Sequence, residues 1–123
     1  MLSHLSFGVN DLGRAAAFYE AILAPLGYVP VLRKDHAVGF GEPGGEDRLT
    51  LFSKPLQTVA PGPGFHLAFQ APTRESINAF YVAALAAGAR DEGAPGLRAN
   101  YGPTYYAAFV TDLDGYKLEA HHQ

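Results

Sequence analysis

His66-Leu-Ala-Phe-Gln-Ala-Pro-Thr-Arg-Glu-Ser-Ile-Asn-Ala-Phe-Tyr81 repeats a pattern that the chain has already written once. Residues 4 to 19 hold His4-Leu-Ser-Phe7 and Ala17-Phe-Tyr19, and the second copy holds His66-Leu-Ala-Phe69 and Ala79-Phe-Tyr81. The histidines and the Ala-Phe-Tyr triplets are each 62 positions apart, so no insertion separates them within a copy. Self-similarity at a fixed spacing takes precedence over local structure in deciding a fold. Two copies at so long a period describe a module duplicated within one domain, not a solenoid.

The far end of each copy agrees more weakly. Arg48-Leu-Thr-Leu51 aligns with Lys117-Leu-Glu-Ala120 at a spacing of 69, and Phe40 aligns with Phe109 at the same spacing. One difference matters for chemistry: the second copy has Glu119 where the first has Thr50.

Local patterning fills in each copy. Leu2 to Val9 alternates apolar and polar residues, as a half-buried strand does. Asn10 or Asp11 can cap a helix, because a short polar side chain bonds the unpaired amides of a first turn. Ala15, Phe18, Tyr19, Ile22, Leu23 and Leu26 then form an apolar stripe at helical spacing, with Gly27 as a stop. Tyr28–Leu32, Ala37–Gly41 and Arg48–Ser53 read as short strands between turn-forming residues. In the second copy, Phe65–Ala71 is a strand and Thr73 caps a helix with Ile77, Phe80, Tyr81, Ala84, Leu85 and Gly88 inward. One strand is expected within residues 89–103, then Tyr105–Thr111, a tight turn at Asp112-Leu-Asp-Gly115, and Tyr116–His121. Each copy is therefore β-α-β-β-β. The prediction is one α+β domain over residues 1–123, with module one at 1–56, a linker at 57–64 and module two at 65–123.

Composition narrows the function. At 123 residues, 48% hydrophobic and 17% charged, the chain has the make-up of a folded globular domain. The absence of cysteine removes disulfides, thiolate metal sites and thiol nucleophiles. A net charge of −3 argues against nucleic acid as a partner. Neither a secretion signal nor an apolar stretch of membrane-spanning length is visible, so a cytoplasmic domain without a membrane partner is expected.

Strand parity places the polar residues. The apolar sets Leu5, Phe7 and Val9, and Leu67, Phe69 and Ala71, must cover the helices, which have no other surface to bury against. His4 and His66 then point to the opposite face. Leu49 and Leu51, and Leu118 and Ala120, send Thr50 and Glu119 to that same face. Two histidines and one carboxylate around a polar cup form a ligand set for a divalent Fe, Mn, Ni or Zn ion with open coordination positions. Tyr106, which alternates with Ala108 and Val110, is the candidate phenol to act with Glu119 in catalysis, donating to a substrate oxyanion. Tyr101, His36, His121, Arg33 and Arg98 are weaker polar candidates, for which surface or packing roles are the plain reading.

His4-Leu-Ser-Phe7 with Ala17-Phe-Tyr19, His66-Leu-Ala-Phe69 with Ala79-Phe-Tyr81, and Asp112-Leu-Asp-Gly-Tyr-Lys-Leu-Glu119 together resemble the vicinal oxygen chelate superfamily. This is the glyoxalase, bleomycin-resistance and extradiol-dioxygenase group. The resemblance spans nearly the whole chain, and its most specific part is the closing Asp-x-Asp-Gly-x-x-x-Glu. It implies paired βαβββ modules forming a curved mixed sheet around a metal or ligand cup. Ligand positions carried over to this chain are His4, Thr50, His66 and Glu119. Glyoxalase I enzymes hold a glutamate where Thr50 stands, and a threonine hydroxyl is neither a good ligand nor a carboxylate base. The His4, His66 and Glu119 set is instead similar to that of extradiol dioxygenases and fosfomycin-resistance transferases. The resemblance thus implies a metal-dependent lyase, isomerase or dioxygenase chelating vicinal oxygens of a small metabolite, with homodimerisation as in many single-domain relatives. The rivals are a fosfomycin-resistance-like transferase and a metal-free drug-binding protein of the bleomycin-resistance type.

Overall fold

A computed structural model describes residues 1–123. It divides into two compact units, Met1–Val59 and Ala60–Gln123, and the division falls inside the segment read as a linker. Each unit holds one copy of the repeat.

In the first unit the order is β1 (Leu5–Val9), α1 (Leu12–Leu23), β2 (Val29–Lys34), β3 (Ala37–Gly41) and β4 (Leu49–Ser53). The strands form one mixed sheet in the order β1-β4-β3-β2, with β1 parallel to β4 and the remaining pairs antiparallel. The second unit repeats this with β5 (Leu67–Gln70), α2 (Arg74–Ala86), β6 (Arg90–Leu97), β7 (Tyr106–Thr111) and β8 (Lys117–His122). Its sheet order is β5-β8-β7-β6, again with the first and last strands parallel. The α+β class and the two tandem βαβββ modules expected from the repeat are therefore present, each module with its own four-stranded sheet.

The helices begin where capping chemistry allows. The Asp11 carboxylate accepts from the Arg14 amide at 3.1 Å. At α2 the Thr73 hydroxyl accepts from the Ser76 amide at 3.0 Å, and the Ser76 hydroxyl accepts from the Thr73 amide at 3.2 Å, a reciprocal box that satisfies two otherwise orphaned donors. The stripe predicted for the first helix, from Ala15 to Leu26, is buried throughout. Tyr19 sits at its centre, with ring contacts to Phe7, Phe18 and Phe40. At the β7–β8 turn the Asp112 carboxylate accepts from the amides of Asp114 and Tyr116. Gly115 supplies the φ of 96° that a side chain would oppose.

Two expectations change. Phe109 does not stand in the place of Phe40. Phe40 pairs with Leu49, whereas Phe109 pairs with Glu119, so the counterpart of Phe109 in the first unit is Gly39, which pairs with Thr50. The alignment by aromatic identity was one residue out because both strands carry aromatic or small residues on adjacent positions. The inner stripe of α2 is also narrower than predicted. Ile77, Phe80 and Ala84 are fully buried, but Leu85 is 38% exposed and Gly88 is exposed. Ala84 in the last turn is still sealed, so only the edge of the stripe is left uncovered.

This division predicts unequal costs for two similar truncations. Ile77→Ala empties a sealed site and should cost about 2–5 kcal/mol, whereas Leu85→Ala, at a side chain already 38% exposed, should cost about 1 kcal/mol. Urea unfolding midpoints of the two variants measure the difference, and equal losses would contradict the packing described.

Candidate functional site

Each sheet has one face covered by its helix and one open face. Register makes the open faces equivalent. Ser6 pairs with Thr50 and Ala68 pairs with Glu119, and His4 and His66 each stand two residues earlier, on the same side of the pleat. The parity expected from the sequence is thus realised within each unit.

In the second unit the structure brings His66 and Glu119 together. Glu119 is 2% exposed, so its carboxylate must be satisfied by protein groups or by a bound cation. Its Oε2 lies 3.0 Å from His66 Nε2, and its Oε1 accepts a hydrogen bond from the Tyr105 hydroxyl at 2.5 Å. The His66 side chain is 46% exposed, so the pair opens outward through the imidazole. Phe109 packs edge-on to the His66 ring with centroids 6.1 Å apart, fixing the floor beside it. Burial, together with the adjacent Glu119 carboxylate, pushes the Tyr105 phenol far above its ordinary pKa. Tyr105 is therefore a neutral donor over the whole physiological range. His121 stacks flat on the Tyr105 ring at 4.9 Å, and its Nδ1 is buried without a hydrogen-bond partner.

Tyr106 lies elsewhere. Its hydroxyl donates to Asn78 of α2 at 2.7 Å, and the Arg74 guanidinium covers its ring. The alternation with Ala108 and Val110 is the parity of the helix side, because those residues pair with Ala120 and Leu118. The phenol on the Glu119 side is Tyr105, one residue earlier, which shares the parity of Ala107 and Phe109. That signal was present in the sequence.

In the first unit, His4 is exposed, with Ser3 Oγ at 2.6 Å from its Nδ1, which leaves Nε2 as the ring nitrogen available to a ligand. Thr50 is 4% exposed and donates its hydroxyl to Asp47 Oδ2 at 2.5 Å. That hydrogen bond is the main reason the Asp47 carboxyl is held below the ordinary carboxylate range, helped by the charges of His4 and Lys34. A cavity of ≈180 Å³ opens over this face, bordered by His4, Ser6, Lys34, His36, Asp47 and Thr50 among others. His36 stacks on Phe52 at the cavity wall, with centroids 6.4 Å apart. Asp47 was not legible as a site residue, since it precedes β4 in a loop where strand parity says nothing. Arg33 pairs with Glu20 at the surface, and Arg98 donates to the Gly96 and Ala94 carbonyls and covers Phe109.

Imidazole and carboxylate are donor types that first-row divalent ions take; here His66 Nε2 and Glu119 Oε2 stand 3.0 Å apart, at hydrogen-bond distance. Within neither unit do three or more His, Asp or Glu side chains gather so as to hold a metal ion.

The family model of the Glyoxalase/Bleomycin resistance protein/Dioxygenase superfamily matches residues 1–120. Among solved structures, a glyoxalase/bleomycin resistance protein from Albidiferax ferrireducens T118 is similar at 32% identity and a TM-score of 0.82, covering 98% of this chain and 97% of that one. A glyoxalase/bleomycin resistance protein/dioxygenase family enzyme from Burkholderia phytofirmans PsJN shares the fold at 22% identity and a TM-score of 0.72, over 98% and 96% of the two chains. The fosfomycin resistance protein FosX from Listeria monocytogenes does so at 20% identity and a TM-score of 0.70, over 98% and 91%. No curated protein matches the chain. No helix is long and apolar enough to cross a membrane.

The Thr50–Asp47 bond yields a signed prediction. A carboxyl whose pKa is depressed on folding adds stability above its unfolded pKa of about 3.9, and that stability is lost as pH falls through the folded value. Thr50→Val removes the largest cause of the depression. The variant should therefore lose less stability than the parent between about pH 5 and pH 2, as read from denaturant midpoints across that range. Parallel acid limbs for the two proteins would refute the bond's contribution.

Proposed function

The chain belongs to the Glyoxalase/Bleomycin resistance protein/Dioxygenase superfamily, and from that premise we propose that it is a metal-dependent enzyme acting on adjacent oxygens of a small metabolite. The observation that carries this reading is the His66–Glu119 pair, a buried carboxylate and an outward imidazole with donor atoms 3.0 Å apart. In this reading His66 and Glu119 of the second unit are two ligands of a divalent ion. The ion, when bound, supplies Lewis acidity toward a chelating substrate, chemistry worth several kcal/mol of barrier.

The chain's own residues have separable tasks. Glu119 is held from two sides, by the Tyr105 hydroxyl at Oε1 and by His66 at Oε2. Tyr105 acts as a positioning residue, neutral and donating at every working pH. Phe109 excludes water from one side of His66, which strengthens every charge interaction there. The likeness to FosX, at 20% identity, extends to fold only, so the reaction type within the superfamily, lyase, isomerase, dioxygenase or transferase, is an outcome for experiment.

Protein purified without an affinity tag and without chelators should contain divalent metal, and Glu119→Gln should lose most of it while keeping the parent's melting temperature within a few degrees. Binding should weaken in acid, because a protonated imidazole cannot ligate. Catechols and 2-hydroxy ketones are suitable first substrates. Saturable binding of such molecules by metal-free protein, without turnover and without loss in Glu119→Gln, would replace the enzyme with a ligand-sequestering protein.

Tyr105→Phe gives a second expected outcome. It leaves one buried carboxylate oxygen unpaired, at a cost of about 1–3 kcal/mol. With the carboxylate no longer held at Oε1, metal should bind more weakly, so thermal shifts on metal addition should be smaller for the Tyr105→Phe protein than for the parent. Equal shifts would remove Tyr105 from the site.

A further inference from the structure

Two cations of the second unit stand over one ring and have no anion of their own. The Arg98 guanidinium lies 5.5 Å, and the Lys117 ammonium 5.4 Å, from the centroid of Phe109. Neither forms an ion pair, whereas Arg90 is taken by Glu92 at 3.1 Å. Arg98 is held in place all the same. Its Nη1 donates to the Gly96 carbonyl at 3.0 Å and its Nη2 to the Ala94 carbonyl at 2.8 Å. Two glycines leave the room it occupies. A Cβ on Gly93 would stand 3.1 Å from Nη2, and one on Gly96 would stand 3.3 Å from Nη1. Carbonyls accept hydrogen bonds but cancel no charge, and a guanidinium is not deprotonated in a protein. The two carbonyl bonds leave three of its five N–H groups for a ligand. The same Phe109 ring meets His66 edge-on with centroids 6.1 Å apart, and Phe109 pairs with Glu119 across the sheet. The guanidinium and the His66–Glu119 pair therefore border one aromatic floor.

Resting on the reading of His66 and Glu119 as the reacting end of the site, we propose that Arg98 binds a carboxylate of the substrate, which is then a small carboxylic acid lying along Phe109. A planar guanidinium already oriented by the protein loses little freedom on taking a planar carboxylate, and the bond is charge-assisted. The Phe109 ring, partly open to solvent, gives the apolar or aromatic body of such an acid a surface to cover. Lys117 is exposed on the same ring and adds to the positive field, but its charge also acts on Glu92. Its share is therefore the smaller one. A carboxylate suits the place better than a doubly charged phosphate, because Glu92 and Glu119 of the same unit repel a second negative charge.

The subsite is tested first on the metal-free full chain, so that the result does not depend on the metal reading. Benzoate and benzyl alcohol share a ring and differ in charge, and their binding is followed by amide and guanidinium nitrogen–proton NMR signals. Benzoate should bind about tenfold more tightly than benzyl alcohol, and moving from about 20 mM to about 500 mM salt should shrink that advantage. Arg98→Gln should remove most of the preference, and Lys117→Gln, at an exposed site that does not endanger the fold, about two- to threefold of it. A melting curve shows whether Arg98→Gln is folded. Equal binding of the two probes by the parent, or an unchanged preference in a folded Arg98→Gln protein, would overturn the subsite. Tighter binding of inorganic phosphate than of benzoate would overturn the carboxylate. The link to the reacting end is read on Co²⁺-loaded protein, where 3,4-dihydroxybenzoate should bind more tightly than catechol in the parent and not in Arg98→Gln. A benzoate preference without that second preference would deny the subsite a part in substrate binding. If the parent holds no Co²⁺, or Glu119→Gln holds it as well as the parent, the metal reading falls, and the benzoate result still decides whether Arg98 binds a carboxylate.

Discussion

An amphipathic helix can bury its stripe only against one face of its own sheet, and the pleat then decides where every other side chain of that sheet goes. In both units the helix takes one face through Tyr19 or through Phe80, and everything chemically useful is left on the other. Glu119 illustrates how strict this is. Its neighbours along β8, Leu118 and Ala120, are fully buried on the helix side, so the carboxylate has no choice of face. It is buried nonetheless, with Phe109 paired beside it on β7 and the Tyr105 hydroxyl, just before β7, bonded to it. A carboxylate enclosed in this way costs several kcal/mol unless its oxygens are met, and both are met, by Tyr105 and His66.

The two modules share a frame and differ at one pair of facing positions. Gly39 faces Thr50, and Phe109 faces Glu119. In the second module the ring of Phe109 walls the site, and the carboxylate comes from the strand itself. In the first the missing ring leaves a hollow, and a carboxylate enters it from the loop before β4. The same open face is thus furnished by different routes, one by strand parity and one by vacancy.

That difference explains what was legible in the sequence. The duplication, both helices, the strand order within each copy and the shared face of His66 and Glu119 all follow from periods of 3.6 and 2, which residues display directly. Tyr106 was assigned to the site against the evidence of its own alternation, since Ala108 and Val110 belong to the helix side. Tyr105 was the residue that parity favoured. Leu85 was placed in the core by helical spacing, but it is 38% exposed while Ala84 beside it is sealed, and how far a sheet reaches around a helix is not encoded in spacing. Asp47 and Gly39 were beyond reach for a deeper reason. A loop residue has no period, and the worth of an absent Cβ is visible only when the atom that takes its place is known.

The route by which a carboxylate reaches the open face also sets how firmly it is held. Glu119 projects from the interior of β8, between β5 and β7, and its backbone is fixed on both sides by ladder hydrogen bonds. Asp47 belongs to a loop, and its position depends on the Thr50 hydrogen bond and on room beside Gly39. Backbone held by a sheet opens only with large parts of the fold, whereas loop backbone opens locally at little cost. The second unit therefore offers a preorganised carboxylate, and the first offers one that can shift by breaking a single hydrogen bond.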